Sequence, residues 1–189
     1  MKNKGNFVVI SGPSGVGKGT VCRELLKDCE NLELSISATT RKPRSEDTEG
    51  VTYYFLSRED FEEKIKAGAF LEWAMYNGNY YGTPLRPVEE KLEAGKDVLL
   101  EIDVQGALNV KKNYPGGIYI FIAPPDTETL RKRLIGRGTE NPEEIARRVA
   151  AAELELSKKK EYDYIVINDV LEDAVKTVKD IIKTRSAEL

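Results

Sequence analysis

The chain predicts an α/β fold of three layers, a parallel core sheet between helices, and three observations carry that prediction. Short apolar strands alternate with helical segments along most of the 189 residues, a pattern that winds a parallel sheet through right-handed crossovers. One strand, Ile118-Tyr119-Ile120-Phe121-Ile122, is apolar on both faces, as burial in the middle of such a sheet requires. A glycine-rich turn, Gly12-Pro13-Ser14-Gly15-Val16-Gly17-Lys18-Gly19-Thr20, joins the first strand to the first helix. Between about residues 35 and 83 the spacing changes to short, mixed or antiparallel strands, which reads as a subdomain inserted into the framework.

The apolar run Phe7-Val8-Val9-Ile10 predicts the first strand, and Val21, Leu25 and Leu26 predict a helix from Lys18 to about Lys27. Leu32 to Thr40, with Leu34 and Ile36 alternating with serines, predicts a second strand. Thr39 to Asp47 is polar and carries Pro43, so it reads as a loop. Tyr53 to Leu56 predicts a strand, and Phe61 and Ile65 place a helix over Arg58 to Ala67. Phe70 to Tyr76 and Asn79 to Gly82 flank Asn77-Gly78, a pair suited to a type I′ hairpin turn. The framework resumes with a helix over Pro84 to Ala94, a strand over Asp97 to Asp103 and a helix near Gly106 to Lys112. After Pro124-Pro125 a helix runs to about Leu134. Gly136 to Asn141 then link it to a charged helix from Pro142 to about Lys160, and glycines flanking Arg137 suggest a mobile lid. Ile165-Val166-Ile167 is the last strand, and Val170, Leu171, Ala174, Val175, Val178, Ile181 and Ile182 stripe the last helix.

Composition narrows the chemistry. Hydrophobic residues at 40% and charged residues at 32% suit a soluble globule, and a net charge of −3 offers no general attraction to nucleic acid. No apolar run approaches the ~20 residues of a membrane span, so a cytoplasmic location is expected. With no histidine, His-based catalysis is excluded and any metal is expected to be a hard cation held by oxygens. Cys22 and Cys29 lie about 10 Å apart along one helix, too far for a disulfide.

The Gly12 to Thr20 stretch matches G-x-x-x-x-G-K, the P-loop whose backbone N–H groups cradle phosphate while Lys18 reaches the β- and γ-phosphates of a nucleoside triphosphate. Gly19 departs from the pattern, since a Ser or Thr there normally meets Mg²⁺; the hydroxyl comes one residue later, at Thr20. Asp103, with Glu101 on the same side of its strand, provides the acidic residue expected near Mg²⁺, directly or through water. Asp103-Val104-Gln105-Gly106 also matches the D-x-x-G of GTPases, but no Asn-Lys-x-Asp segment accompanies it. Asn168-Asp169, after the last strand, are candidates for a donor-base contact.

Six stretches, the P-loop among them, occur in an order and spacing that cover nearly the whole chain. They are Gly12 to Thr20, Ser37 to Arg44, Phe70 to Ala74, Gly78 to Thr83, Ile102 to Gly106 and Gly136 to Glu140. On these residues the sequence resembles the guanylate kinase family. The resemblance implies a core (1–34, 84–136, 161–189), a GMP-binding region (35–83) and a lid (137–160). It implies ATP as co-substrate, GMP as acceptor and Mg²⁺ as cofactor. Arg41, Arg44, Tyr53 and Tyr81 would hold the GMP phosphate, Ser37, Glu72 and Thr83 would address the guanine, and Glu101 and Asp103 would complete the acceptor site. Lys18, Arg41, Arg137 and Arg148 would surround the transferred group. Asp47 stands where the family usually has Glu, whereas Gly19 is shared with many members.

Charge logic agrees with that assignment, because joining two polyanions needs cations from several directions and no general base. Two alternatives compete: a non-catalytic module that uses the same fold to bind peptides, and a kinase for another acceptor such as AMP. The intact Lys18 loop argues against the first, and Glu72 separates the second. The oligomeric state is left open.

Overall fold

The computed structural model describes residues 4–76, 78–135 and 142–188. Five strands form a fully parallel sheet: β1 (Phe7–Ser11), β2 (Leu32–Leu34), β7 (Asp97–Glu101), β8 (Ile118–Ala123) and β9 (Tyr164–Ile167), in the order β2-β7-β1-β8-β9. The central strand β1 pairs with β7 through Val9↔Leu100 and with β8 through Val9↔Tyr119. Strand alternation then decides which side chain meets which helix layer. Val8, Ile10, Ile118, Ile120 and Ile122 pack with Val21 and Leu25 of α1 (Lys18–Asp28) and with Ala174, Val178 and Ile182 of α7 (Leu171–Glu188). On the other face, Val9, Leu100, Tyr119 and Phe121 meet Val88 and Leu92 of α3 (Leu85–Glu93) and Ala107 and Val110 of α4 (Val104–Asn113). All six residues of β8 are buried, as its two-sided apolar sequence requires. Each fully buried aliphatic side chain here contributes roughly 1.5–3 kcal/mol.

Leu32 to Thr40 is not one strand. Leu32–Leu34 joins the parallel sheet, Ser35 N–H still reaches Leu99 O at 2.9 Å, and the chain then leaves. Ala38–Thr39 forms β3 in a second sheet of order β4-β3-β6-β5, with β4 (Tyr54–Phe55), β5 (Phe70–Tyr76) and β6 (Asn79–Pro84). Alternation was unbroken across the junction, so periodicity alone could not mark it. The second sheet is mixed, because β3 runs parallel to β4 and antiparallel to β6. Its own small core centres on Phe61 of α2 (Arg58–Lys66), stacked at 4.3 Å on Phe70 and at 5.1 Å on Tyr80. Gly78 adopts φ +76° after the hairpin position Asn77, which lies outside the described residues.

Two helices complete the framework beside β8 and β9. Leu130 and Leu134 of α5 (Thr127–Ile135) and Ala152 of α6 (Pro142–Ser157) close the first core. The expected single helix from Pro142 to Lys160 ends at Ser157, and a 3-10 turn follows at Lys159–Glu161.

Candidate nucleotide-binding site

The glycine loop crosses from the end of β1 to the start of α1. Gly12, Gly15 and Gly17 have φ of +144°, +83° and +94°, which L side chains rarely adopt. A Cβ on Gly12 would also sit 2.2 Å from Ile122 O, so the loop is set down directly on β8. Asn168, at the end of β9, donates from Nδ2 to Val16 O at 2.8 Å and is buried. That bond turns its amide toward the loop backbone and makes it a brace for the loop.

Lys18 Nζ donates to Gly12 O at 2.7 Å and Pro13 O at 3.1 Å. Burial lowers its pKa, while the charges of Glu101, Glu155 and Asp103 pull it back up. An incoming polyphosphate would add to that stabilisation of the ammonium.

Glu101, the last residue of β7, brings a carboxylate beside the start of α1. An added Cβ at Gly19 would be 3.3 Å from its Oε1, so the glycine leaves room for the acid. Burial raises the Glu101 pKa, and Lys18 and Arg23 oppose that shift. Asp103 does not end the strand as the sequence predicts. The strand stops at Glu101, and Asp103 caps α4, its Oδ1 accepting from Gly106 N–H at 2.8 Å. A short polar acceptor at this position satisfies an otherwise unpaired helix N–H, a local signal that the strand pattern obscured. Thr20 Oγ1 accepts from Arg23 Nη2 at 3.2 Å. The hydroxyl of Thr20 and the carboxylates of Glu101 and Asp103 are hard oxygen donors, a set that suits Mg²⁺.

A cavity of about 700 Å³ runs from this loop to the second sheet. Gly12, Ser14 and Lys18 line one end; Ser37, Tyr53, Glu72 and Tyr81 line the other. Glu72 on β5 and Thr83 on β6 are register partners, and Thr83 Oγ1 donates to Glu72 Oε1 at 2.6 Å. Both are buried, with exposures of 8% and 1%. Burial pushes the Glu72 pKa up to about 7; the Thr83 bond opposes the rise and the Asp103 charge adds to it. Gly106 makes this placement possible, since a Cβ there would lie 2.7 Å from Glu72 Oε2.

Tyr53 and Tyr81 meet edge to face at 6.0 Å. The Arg41 guanidinium lies 5.5 Å from the Tyr53 ring centre and bonds Asp47 at 2.8 Å. Asp47 also accepts from Arg44 N–H at 2.7 Å, so it is the organiser of the Arg41 to Arg44 loop, a role its sequence position did not disclose. Arg41 and Arg44 themselves stand outside the cavity lining, and the Arg44 side chain is exposed. Tyr80 is a core aromatic. Arg137 lies outside the described residues.

Helix α6 also reaches the loop, and its Arg148 and Glu155 line the same cavity. Arg148 Nη2 donates to Ser14 Oγ at 2.9 Å. Glu155, two turns on, accepts from Ser14 N–H at 3.4 Å, a contact that sequence reasoning missed because helical position alone shows no partner.

The chain as a whole is similar to known proteins. The guanylate kinase family model matches residues 4–185. A guanylate kinase of Listeria monocytogenes is 54% identical over 185 residues, 97% of this chain and 90% of that protein. One from Halalkalibacterium halodurans is 51% identical over 181 residues, 96% and 89% of the two chains. The crystal structure of guanylate kinase from Anaplasma phagocytophilum superposes with a TM-score of 0.80 at 33% identity, covering 97% of this chain and 87% of that one.

Proposed function

The chain belongs to the guanylate kinase family, and from that premise we propose that it transfers the γ-phosphoryl group of ATP to GMP, giving ADP and GDP. The observation that carries the reading is one cavity with the Lys18 loop at one end and, at the other, Glu72, held by the buried Thr83 hydroxyl. Guanine presents N1–H and a 2-amino group side by side, two donors for the two oxygens of Glu72, whereas adenine offers neither there. Ser37 and Thr83 would complete base recognition, and Arg41, Arg44, Tyr53 and Tyr81 would take the GMP phosphate.

Gly12, Pro13, Ser14, Gly15, Val16, Gly17, Lys18, Gly19 and Thr20 would bind the ATP phosphates. Mg²⁺ would be held by Thr20 and Asp103, with Glu101 close by; when bound it neutralises charge developing on the phosphoryl oxygens. Lys18, Arg41, Arg148 and Arg137 would offer the remaining cations. In this scheme residues 35–83 form the acceptor region and 137–160 a lid over a core of 1–34, 84–136 and 161–189. The departure of the backbone from the parallel sheet after Leu34 supports the first boundary. We place the enzyme in cytoplasmic purine nucleotide metabolism; among the described residues no helix is long and apolar enough to cross a membrane.

The test is ADP formation from ATP and Mg²⁺ with GMP, IMP or AMP, in wild type and Glu72→Gln. GMP should exceed AMP by about 10³-fold or more in kcat/KM, with IMP between, because a buried acceptor left unpaired is costly. Glu72→Gln should narrow that gap while leaving the KM for ATP unchanged. An ordering that survives the substitution assigns guanine recognition to other residues.

A further inference from the structure

Helix α6 presents two opposite charges to the same residue of the glycine loop. Arg148 and Glu155 are seven positions apart, hence on one helix face. The first donates to Ser14 Oγ and the second accepts from Ser14 N–H. A backbone N–H of this loop is the kind of group that a phosphate oxygen takes. Glu155 therefore uses a donor that the phosphates of ATP would need, and it adds its negative charge to the field around Lys18.

We propose that Glu155 is an internal competitor of ATP, a carboxylate that occupies the Ser14 amide and must leave when the triphosphate enters. The proposal rests on the kinase reading of the loop. Three features of the contact fit a displaceable occupant better than a structural bond. At 3.4 Å it is long for a charge-assisted hydrogen bond, which usually closes to 2.7–2.9 Å. Its acceptor is half-buried, so the carboxylate can return to water at modest cost. Its pKa is raised chiefly by burial, against the opposing pull of Lys18 and the Ser14 amide, so moving out to water returns hydration to the carboxylate. Displacement would also free the Ser14 amide on the side where Arg148 already touches the same residue. ATP binding and the position of α6 are thereby coupled through one serine.

The experiment is calorimetric titration of MgATP, without GMP, into wild type, Glu155→Gln and Glu155→Asp, with GMP titrated separately. Glu155→Gln removes the competing charge and should tighten ATP by about three- to tenfold, the range of one partly screened charge. Glu155→Asp keeps the charge but shortens its reach and should fall between. GMP affinity should stay within about twofold in both. A residue that merely braced the loop would weaken ATP when altered, so unchanged or weaker ATP binding overturns the proposal, as does an equal change for GMP. Wild type that binds no ATP sinks the kinase reading along with it, whereas normal wild-type binding with unaltered variants sinks the competitor alone.

Discussion

The two ends of the cavity are built from different materials. At the Lys18 end the groups proposed to take up the nucleotide are backbone: a loop with three left-handed glycines, braced by Asn168 and laid against β8. At the Glu72 end they are side chains, Glu72 and Thr83 opposite one another on paired strands, while Arg41, fixed by Asp47 in the neighbouring loop, stands outside the cavity lining. A phosphate is a generic anion, so oriented N–H groups and one cation suffice for it. A base is recognised by the order of its donors and acceptors, which only positioned side chains can match. The first end should therefore fail outright when its cation is lost, and the second should fail selectively.

The largest effect is expected at the first end. Lys18→Met removes the charge proposed to meet the β- and γ-phosphates and should lower kcat by about 10³-fold or more, the scale of losing a principal transition-state cation. The fold should be unaffected or slightly stabilised, because the methionine stem fills the same space without a buried ammonium whose pKa is already depressed. Steady-state kinetics with a parallel melting curve measures both. Near-normal turnover at an unchanged melting temperature would break the comparison at its donor end.

At the second end, Arg41→Ala should raise the KM for GMP by about tenfold while changing the KM for ATP by less than about twofold. Part of the effect would come through Asp47. Its pKa is held below the usual carboxylate range by the Arg44 N–H bond and, against some burial, by Arg41. Without Arg41 the carboxylate would face the acceptor phosphate with its charge uncompensated. Equal increases in both KM values would mean that the loop acts on the whole cleft and not on the acceptor.

The same contrast explains what the sequence disclosed. The glycine loop is nine consecutive residues whose chemistry and backbone demands coincide, so a local pattern was enough. The two-sided apolar strand Ile118–Ala123 and the stripe through Ala174, Val178 and Ile182 were legible for a similar reason, because burial imposes the period directly. The break after Leu34 was not, since the alternation continues while the strand's partners change from Leu99 to Gly82. Asp103 was placed on a strand because its capping role depends on Gly106, three residues later. The Glu155–Ser14 contact joins residues 141 positions apart, and no local pattern encodes it. The grouping of Ser37, Tyr53, Glu72 and Tyr81 came through the family resemblance, and all four line the cavity.

The smallest effect concerns stability, and its sign distinguishes a functional carboxylate from a structural one. Glu72 has a folded-state pKa raised to about 7 from an ordinary value of 4.5, chiefly by burial. Between these values the folded chain holds the proton that the unfolded chain has released. Stability from this group is therefore fully present below pH 4.5 and falls as pH rises through 7. Ionised at pH 8, the buried carboxylate carries a penalty of roughly 1–3 kcal/mol. Glu72→Gln removes the ionisation, so it should melt higher than wild type at pH 8 by about 2–12 °C, and the difference should shrink toward pH 5. GMP should reverse the order at pH 8, because its two donors repay the buried charge only in wild type. Melting curves of both proteins at pH 5 and pH 8, with and without GMP, measure all of this. A Glu72→Gln variant less stable than wild type at pH 8 without nucleotide would mean that the carboxylate supports the fold, and that the Thr83 bond already satisfies it before any guanine arrives.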